Sequence, residues 1–300
     1  MAREIVDSIK HLIARRASGL SNLAISWFGG EPLLNSKLLI EIGDFCKKIM
    51  ISTPGIKYNG DATTNGFLLD IELASALCQA GIDKFQISLD GDKHIHNSTR
   101  LQANGSGSFD AIWNNLINLK LSSLKFRILL RIHYAIDNIE KQFEFSKKLR
   151  DTFSEDHRFE FFFKNIVKMG GKNDQSIITI TNQQKKSAEE KFYSIVGRPR
   201  ETSFGTNPSD GYICYASKAN SFVIRADGRI QKCTVALNDD HNNVGQLMRD
   251  GTVSISQSKY RVWIDGLLNG DKSQLACPNS KIVRNANIPI NFSIPNEKVV

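Results

Sequence analysis

An α/β fold built on parallel strands is predicted by three observations. Short apolar stretches alternate with amphipathic helical stretches through the first part of the chain, which is the pattern of strands joined by right-handed crossovers. Glycine-bearing turns follow three of the apolar stretches, at Gly29-Gly30, Asn65-Gly66 and Asp90-Gly91. Beyond Gly170-Gly171 the alternation gives way to a hairpin signal, which separates off a second, smaller module.

The elements follow in order. Ile5, Ile9, Leu12 and Ile13 recur at helical spacing and give a first helix. Leu23 to Phe28 is a strand, and Leu38 to Met50 a helix. Lys57 to Thr63 is a weaker strand. Asp70 to Ala80 is helical, with Gly81 as its stop. Lys84 to Leu89 is a strand, Phe109 to Lys120 a helix, Phe126 to Ile132 a strong strand, Ile139 to Leu149 a helix and Arg158 to Phe163 a fifth strand. Gln183 to Val196 is helical and Gly197 to Gly211 a loop. Ser221 to Arg225 and Arg229 to Cys233 flank Ala226-Asp227-Gly228, a hairpin whose Asp-Gly turn tolerates positive φ. The tail after Cys277 has three prolines and little periodicity, and an irregular course is expected. The expected division is 1–200 for the parallel domain and 205–300 for the second module.

Three hundred residues with 41% hydrophobic and 23% charged content are those of a globular chain able to bury a core. The net charge of +8 suits an anionic partner, but Arg15-Arg16 and Lys185-Lys186 are the nearest approach to basic clusters. A solvated surface accounts for such dispersed charge, so no nucleic-acid partner is expected. No segment has the long uncharged run of a membrane span. The start, Met1 to Asp7, carries acids and no apolar core, so it is not a signal peptide, and a cytoplasmic location is the expectation. Five widely spaced cysteines do not read as a secreted disulfide framework.

The strand ends hold the chemistry. Gly29-Gly30-Glu31-Pro32 ends a strand in bare backbone plus one carboxylate, with proline fixing the exit. In parallel α/β folds ligands bind at the carboxyl ends of strands, and three polar ends aimed at one rim are more informative than one. The plainer readings are a strand-to-helix turn at Gly29 to Pro32, a turn cap at Asp90, a core-facing Ser88 and a surface Arg100.

Taken together, the motifs resemble those of the radical S-adenosylmethionine (radical SAM) enzymes with a C-terminal SPASM module, of the sulfatase-maturase kind. The residues that carry the resemblance are Trp27 to Leu34, Thr63 to Gly66, Gln86 to Gly91, His96 to Arg100, and Gly107-Ser108-Phe109; in the second module, Cys214-Tyr215, Phe222 to Gly228, Cys233 and Gly245-Gln246-Leu247. They fall in the family's order from about residue 20 to 250. The resemblance implies a (β/α)6 partial TIM barrel and a peptide or protein substrate. It implies that Gly29, Gly30, Glu31 and Pro32 lie at the methionine amino group of SAM. Asn65, Ser88 and Asp90 would line the same rim, with Arg100 on the methionyl carboxylate, where a guanidinium fork suits two oxygens.

The family's chemistry starts from a [4Fe–4S] cluster held by CxxxCxxC upstream of the GGEP-type turn. That cluster reduces SAM to a 5′-deoxyadenosyl radical. Here no cysteine precedes Cys46, and the segment before Gly29 has room for one helix and one strand. The expectation is therefore a barrel lacking its first strand, in a chain shorn of its start and inactive as written. Cys214, Cys233 and Cys277 stand where auxiliary-cluster ligands belong, with Ser280 in the place of a further cysteine; they are read as remnants. Cys46 and Cys78 fall on helices and are read as core thiols. His94, His96, His133 and His157 are scattered over expected loops and strands and make no zinc site. Trp27, Trp113 and Trp263 are read as core or interface aromatics. The alternative is a non-catalytic peptide-binding partner of an intact radical SAM enzyme. A nucleotide-binding protein unrelated to iron would need GxxxxGK[ST] or GxGxxG after a strand, and neither is present. The substrate, the general acid or base and the oligomeric state have no signal in the sequence.

Overall fold

Five strands, β1 (Asn22–Trp27), β2 (Lys57–Thr64), β3 (Ile82–Leu89), β4 (Arg127–Tyr134) and β5 (Phe159–Asn165), form one wholly parallel sheet in the order β1-β2-β3-β4-β5. The structure is a computed structural model that describes residues 1–168, 175, 177–197 and 212–286, with side chains to 282. Two compact units are distinguished: Ile13–Gly205, and Met1–Leu12 with Thr206–Val300.

In the first unit each crossover carries a helix: α2 (Ser36–Ser52), α3 (Ile71–Gln79), the pair α4 (Lys93–Thr99) and α5 (Phe109–Leu121), and α6 (Ile139–Phe153). α7 (Asn182–Val196) follows β5 and packs on it and on α6. Local chemistry sets the ends. Asp70 accepts the Leu73 N–H at 2.8 Å to start α3, and Gly81 leaves that helix at φ +82. Thr181 and Gln184 form a reciprocal capping box on α7.

The sheet has two unlike faces. On one, Ala62, Phe85, Ile87, Leu89, Ile128, Leu130, Ile132, Tyr134, Phe159, Phe161 and Phe163 join helix residues such as Leu77, Leu116, Phe153 and Phe192 in a single core. Phe163 stacks on Phe192 with ring centres 4.2 Å apart, and Phe109 on Trp113 at 5.4 Å. The alternate positions, Ser26, Asp61, Gln86, Ser88, Arg131, His133 and Lys164, point to the opposite face because strand side chains alternate. Ser88 is therefore not core-facing.

In the second unit β6 (Val223–Ile224), β7 (Arg229–Gln231), β8 (Asn243–Leu247) and β9 (Val253–Ile255) form an antiparallel meander. Gly228 takes φ +82 in the expected hairpin turn, and Asp227 accepts the Arg229 N–H at 3.1 Å. The first turns of α1 (Arg3–Ala17) belong to this unit: His11 meets the Arg249 carbonyl at 3.0 Å, and Arg249 pairs with Glu4. The meander is followed by α8 (Gln257–Asn269), α9 (Lys272–Ala276) and α10 (Pro278–Ala286).

The structure departs from the expected elements in three places. His94 and His96 lie on a helix, α4, whose run Lys-His-Ile-His-Asn-Ser-Thr has no apolar period; Asp92 starts it by accepting the Ile95 N–H at 3.0 Å. The tail is helical over Pro278–Ala286, where proline occupies a first-turn position that needs no N–H donor. β4 runs on through His133 and Tyr134. The loop expected over 197–211 lies, from 198 onward, outside the described residues, as do Gly170-Gly171 and Asp210.

Candidate functional site

The site is built from the carboxyl ends of β1, β2 and β3, which parallel pairing brings to one rim. Trp27 pairs with Ala62, and Thr64 with Ile87. Gly29 and Gly30 carry φ values of +95 and +51, and a side chain at either would meet nothing within 4 Å. The backbone beyond β1 is thus open to a ligand's close approach. Pro32 begins a short 3₁₀ turn, Pro32–Asn35.

Glu31 ties two strand ends together. Its Oε1 accepts from Leu33 N–H at 3.0 Å and Thr64 Oγ1 at 2.6 Å, and its Oε2 accepts from Asn65 N–H at 2.7 Å. Asn65 in turn accepts the Phe67 N–H at 2.8 Å, and Asn115 donates to the carbonyls of Gly66 and Phe67 at 3.0 and 2.9 Å. Gly66 stands at φ +78, with Ile87 at 3.0 Å from where a Cβ would be.

The end of β3 is a second hub. Asp90 accepts from Arg100 Nε, from Arg100 Nη2 at 3.3 Å and from His133 Nδ1 at 2.9 Å. Burial would raise this carboxyl, but the hydrogen bonds from His133 and Arg100 outweigh it and hold the group well below the usual carboxylate range. Gln142 donates to the Asp90 carbonyl at 2.7 Å. Buried His96 lies 3.1 Å from Ser108 Oγ, and Ser108 donates to the Arg100 carbonyl at 2.8 Å. Burial lowers the pKa of His96, with Asp90 opposing, so this ring is a neutral brace between α4 and the start of α5.

The expected rim residues are thus distributed as follows. Glu31 joins Asn65 directly, and Asp90 joins Arg100. Ser88 stands opposite Arg131 on the polar face. Arg100, where the family resemblance would place the methionyl carboxylate, gives Nε and Nη2 to Asp90, which leaves the N–H groups of Nη1 for another acceptor. Four residues of the neighbourhood had not been singled out for it: Asn115, Arg131, His133 and Gln142. The signal for Arg131 and His133 was present, since both are polar at alternate positions of an otherwise apolar strand.

The groups at this rim have the chemistry to receive a small zwitterionic nucleoside such as SAM, and none of them is a thiolate. Open backbone, carboxylates, hydroxyls and guanidinium groups match an ammonium, a ribose and a carboxylate. The sheet unit's cysteines are Cys46 and Cys78, on α2 and α3; burial pushes their thiols up to about 12 and about 11, with Asp83 adding to the second. In the second unit Cys214, Cys233 and Cys277 are all free, and Cys233 and Cys277 both act on the Cys214 thiol, which burial raises first. Among the described residues no group of three or more His, Cys, Asp or Glu side chains is placed to hold a metal ion. No described helix is long and apolar enough to cross a membrane.

No family model matches the sequence. The chain is 31% identical over 129 residues to a cysteine-type anaerobic sulfatase-maturating enzyme of Clostridium novyi (strain NT), a match covering 42% of this chain and 34% of that protein. The chain thus matches about a third of that relative's length. Its fold is similar to anSMEcpe solved with AdoMet and the Cp18Cys peptide, with a TM-score of 0.64 at 18% identity over 92% of this chain and 80% of that one. It is also similar to a histidine-tagged anSMEcpe with bound AdoMet, with a TM-score of 0.60 at 18% identity over 87% and 68%. The two likenesses agree with the motif resemblance, in sequence over part of the chain and in fold over most of it.

Proposed function

Starting from a chain that resembles the radical SAM enzymes of the sulfatase-maturase type, we propose that its sheet unit binds SAM at the strand-end rim and takes a peptide or protein substrate on the adjoining polar face. Gly29, Gly30, Glu31 and Pro32 border the amino end of SAM, while Asn65, Ser88 and the Asp90–Arg100 pair border its remainder. The observation that carries this reading is the Glu31 carboxylate, which fixes the β1 and β2 ends as one surface beside open glycine backbone. SAM supplies an adenosyl group, the radical source of the family that the chain resembles. The chain's own residues orient it: Glu31 fixes the rim, Asp90 holds Arg100 and His133, and His96 and Gln142 brace Asp90.

In this reading the sheet is a partial barrel, and the second unit is a SPASM-like module, with Cys214, Cys233 and Cys277 as remnants of auxiliary ligands. Among the described residues no set of side chains is placed to hold a metal ion, and no step is assigned to an iron–sulfur cluster. Nothing favours a purely peptide-binding partner over this reading, because such a protein has no use for the SAM rim.

Isothermal titration of the chain with SAM tests it. One saturable site is expected, and no binding at millimolar SAM overturns the reading. Anaerobic incubation with iron and sulfide is expected to give no cluster absorbance and no reductive SAM cleavage, whereas clear cleavage by this chain alone overturns the statement about the cluster.

A further inference from the structure

We propose that Cys214 and Cys277 form a redox-active thiol pair in the second unit, closed to an intramolecular disulfide by exchange with a small-molecule disulfide such as oxidised glutathione. The inference is independent of SAM binding at the rim of the sheet unit.

The fold brings these two thiols together from distant parts of the sequence. The Cys214 N–H donates to the Leu275 carbonyl at 2.8 Å. Buried Ser217 donates through Oγ to the carbonyls of Gln274 and Leu275 at 3.1 and 2.9 Å. The segment that carries Cys214 is thus laced to the last turn of α9, and Cys277 is the residue at which α9 ends. A disulfide requires Cα atoms within about 7 Å of each other, and this lacing holds the two backbones side by side a short step from Cys277. Tyr212 spans the pair, since its phenol hydrogen-bonds the Cys214 sulfur and lies close enough to Cys277 to sense its charge. Cys277 has left the helical turn for an extended backbone, at φ −158 and ψ 89.

Cys233 also neighbours Cys214, but its sulfur is held elsewhere. It is buried and accepts the Val235 N–H at 3.4 Å. Fully buried Asn242 pins its backbone, accepting the N–H groups of Lys232 and Cys233 at 2.9 Å each and donating to the Cys233 carbonyl at 2.8 Å. Access separates the three thiols: Cys277 is exposed, Cys214 half-buried and Cys233 buried. Exchange therefore starts at Cys277, whose sulfur attacks the small disulfide, releases one glutathione and keeps the other as a mixed disulfide. Cys214 then displaces the second glutathione. Two protein thiols are oxidised, one disulfide is reduced, and both protons leave on the two glutathione thiols. The new bridge closes a loop that holds the whole β6–β9 meander and α8, a constraint on the unfolded chain that stabilises the unit.

The test is thiol mapping of the full chain. Reduced protein, freed of reductant, is incubated under native conditions in glutathione buffers of graded ratio, quenched with acid, alkylated and digested for mass spectrometry. The peptides joined through Cys214 and Cys277 are expected as the main oxidised product, with Cys46, Cys78 and Cys233 still alkylated. In Cys214→Ser the glutathione adduct on Cys277 is expected to accumulate about tenfold over wild type, because no thiol resolves it. In urea the wild type is expected to lose its pairing preference. Should Cys214→Ser fail to fold by circular dichroism, the wild-type map and its urea control decide alone. The proposal is overturned by a main product that includes Cys233, by Cys277 links between chains, by a Cys277 adduct that persists equally in wild type and variant, or by all five thiols staying free at the most oxidising ratio.

Discussion

Asp90→Asn is the most informative single change to the rim. The carboxylate holds an arginine and a histidine at once, and its side chain is 19% exposed while that of Arg100 is 33% exposed. The amide keeps the size but loses the charge, and it presents an N–H₂ where one acceptor stood. A hydrogen bond to a charged group contributes about 1.5–3 kcal/mol. Solvent at the half-open Arg100 screens part of this, so about 2 kcal/mol of the sheet unit's stability is expected to go at pH 7. With urea slopes of about 1–3 kcal/mol/M, the midpoint should move by roughly 1 M. Urea denaturation followed through Trp27 and Trp113 fluorescence measures it. The pH dependence has a definite sign. A carboxyl whose folded pKa is depressed stabilises above its unfolded pKa of about 3.9, and that contribution fades as pH falls toward the folded value. The gap between wild type and variant should therefore be widest at neutral pH and shrink below about pH 4. A loss below about 0.5 kcal/mol at pH 7, the range of an ordinary surface substitution, would refute the hub.

Three further outcomes are expected. Asn115→Ala should cost about 1–2 kcal/mol by urea denaturation, since it strips the Gly66 and Phe67 carbonyls of their side-chain donor. Under native conditions a thiol reagent should label exposed Cys277 first and Cys46 last, because burial holds the Cys46 thiol neutral; mass spectrometry of timed digests reads the order. Fully buried Lys232 donates to the carbonyls of Lys218 and Ser221 at 2.6 Å each, and burial pushes its ammonium down to about 8. A depressed folded value means that its contribution is full above the unfolded pKa near 10.4 and is lost as pH falls through about 8. Amide exchange in β7 should therefore slow, relative to its intrinsic rate, between pH 8 and 10.

The legible part of this chain was its backbone rhythm. The apolar runs at Leu23 and Phe126 and the Asp-Gly and Asn-Gly turns disclosed the parallel sheet and the hairpin, because alternation and turn chemistry are local. Glu31, Asn65, Asp90 and Arg100 were visible as motif residues. Their partnerships were not, since Glu31 reaches Thr64 and Asp90 reaches His133 across strands whose register no local pattern encodes. α4 escaped because a cap, rather than an apolar stripe, starts it. Buried Gln142 looked like an ordinary polar residue of an exposed helix, yet it is spent on one backbone carbonyl.

The parallel strands lie side by side in the order in which they occur along the chain. During synthesis each newly made strand can dock on the one before it, and no gap has to be held open for a latecomer. Met1–Leu12 are the exception, for Glu4 and His11 find their contacts at Arg249. Once residues 1–200 have left the ribosome, the sheet should already be protected from protease, with the leading helical turns still cleavable.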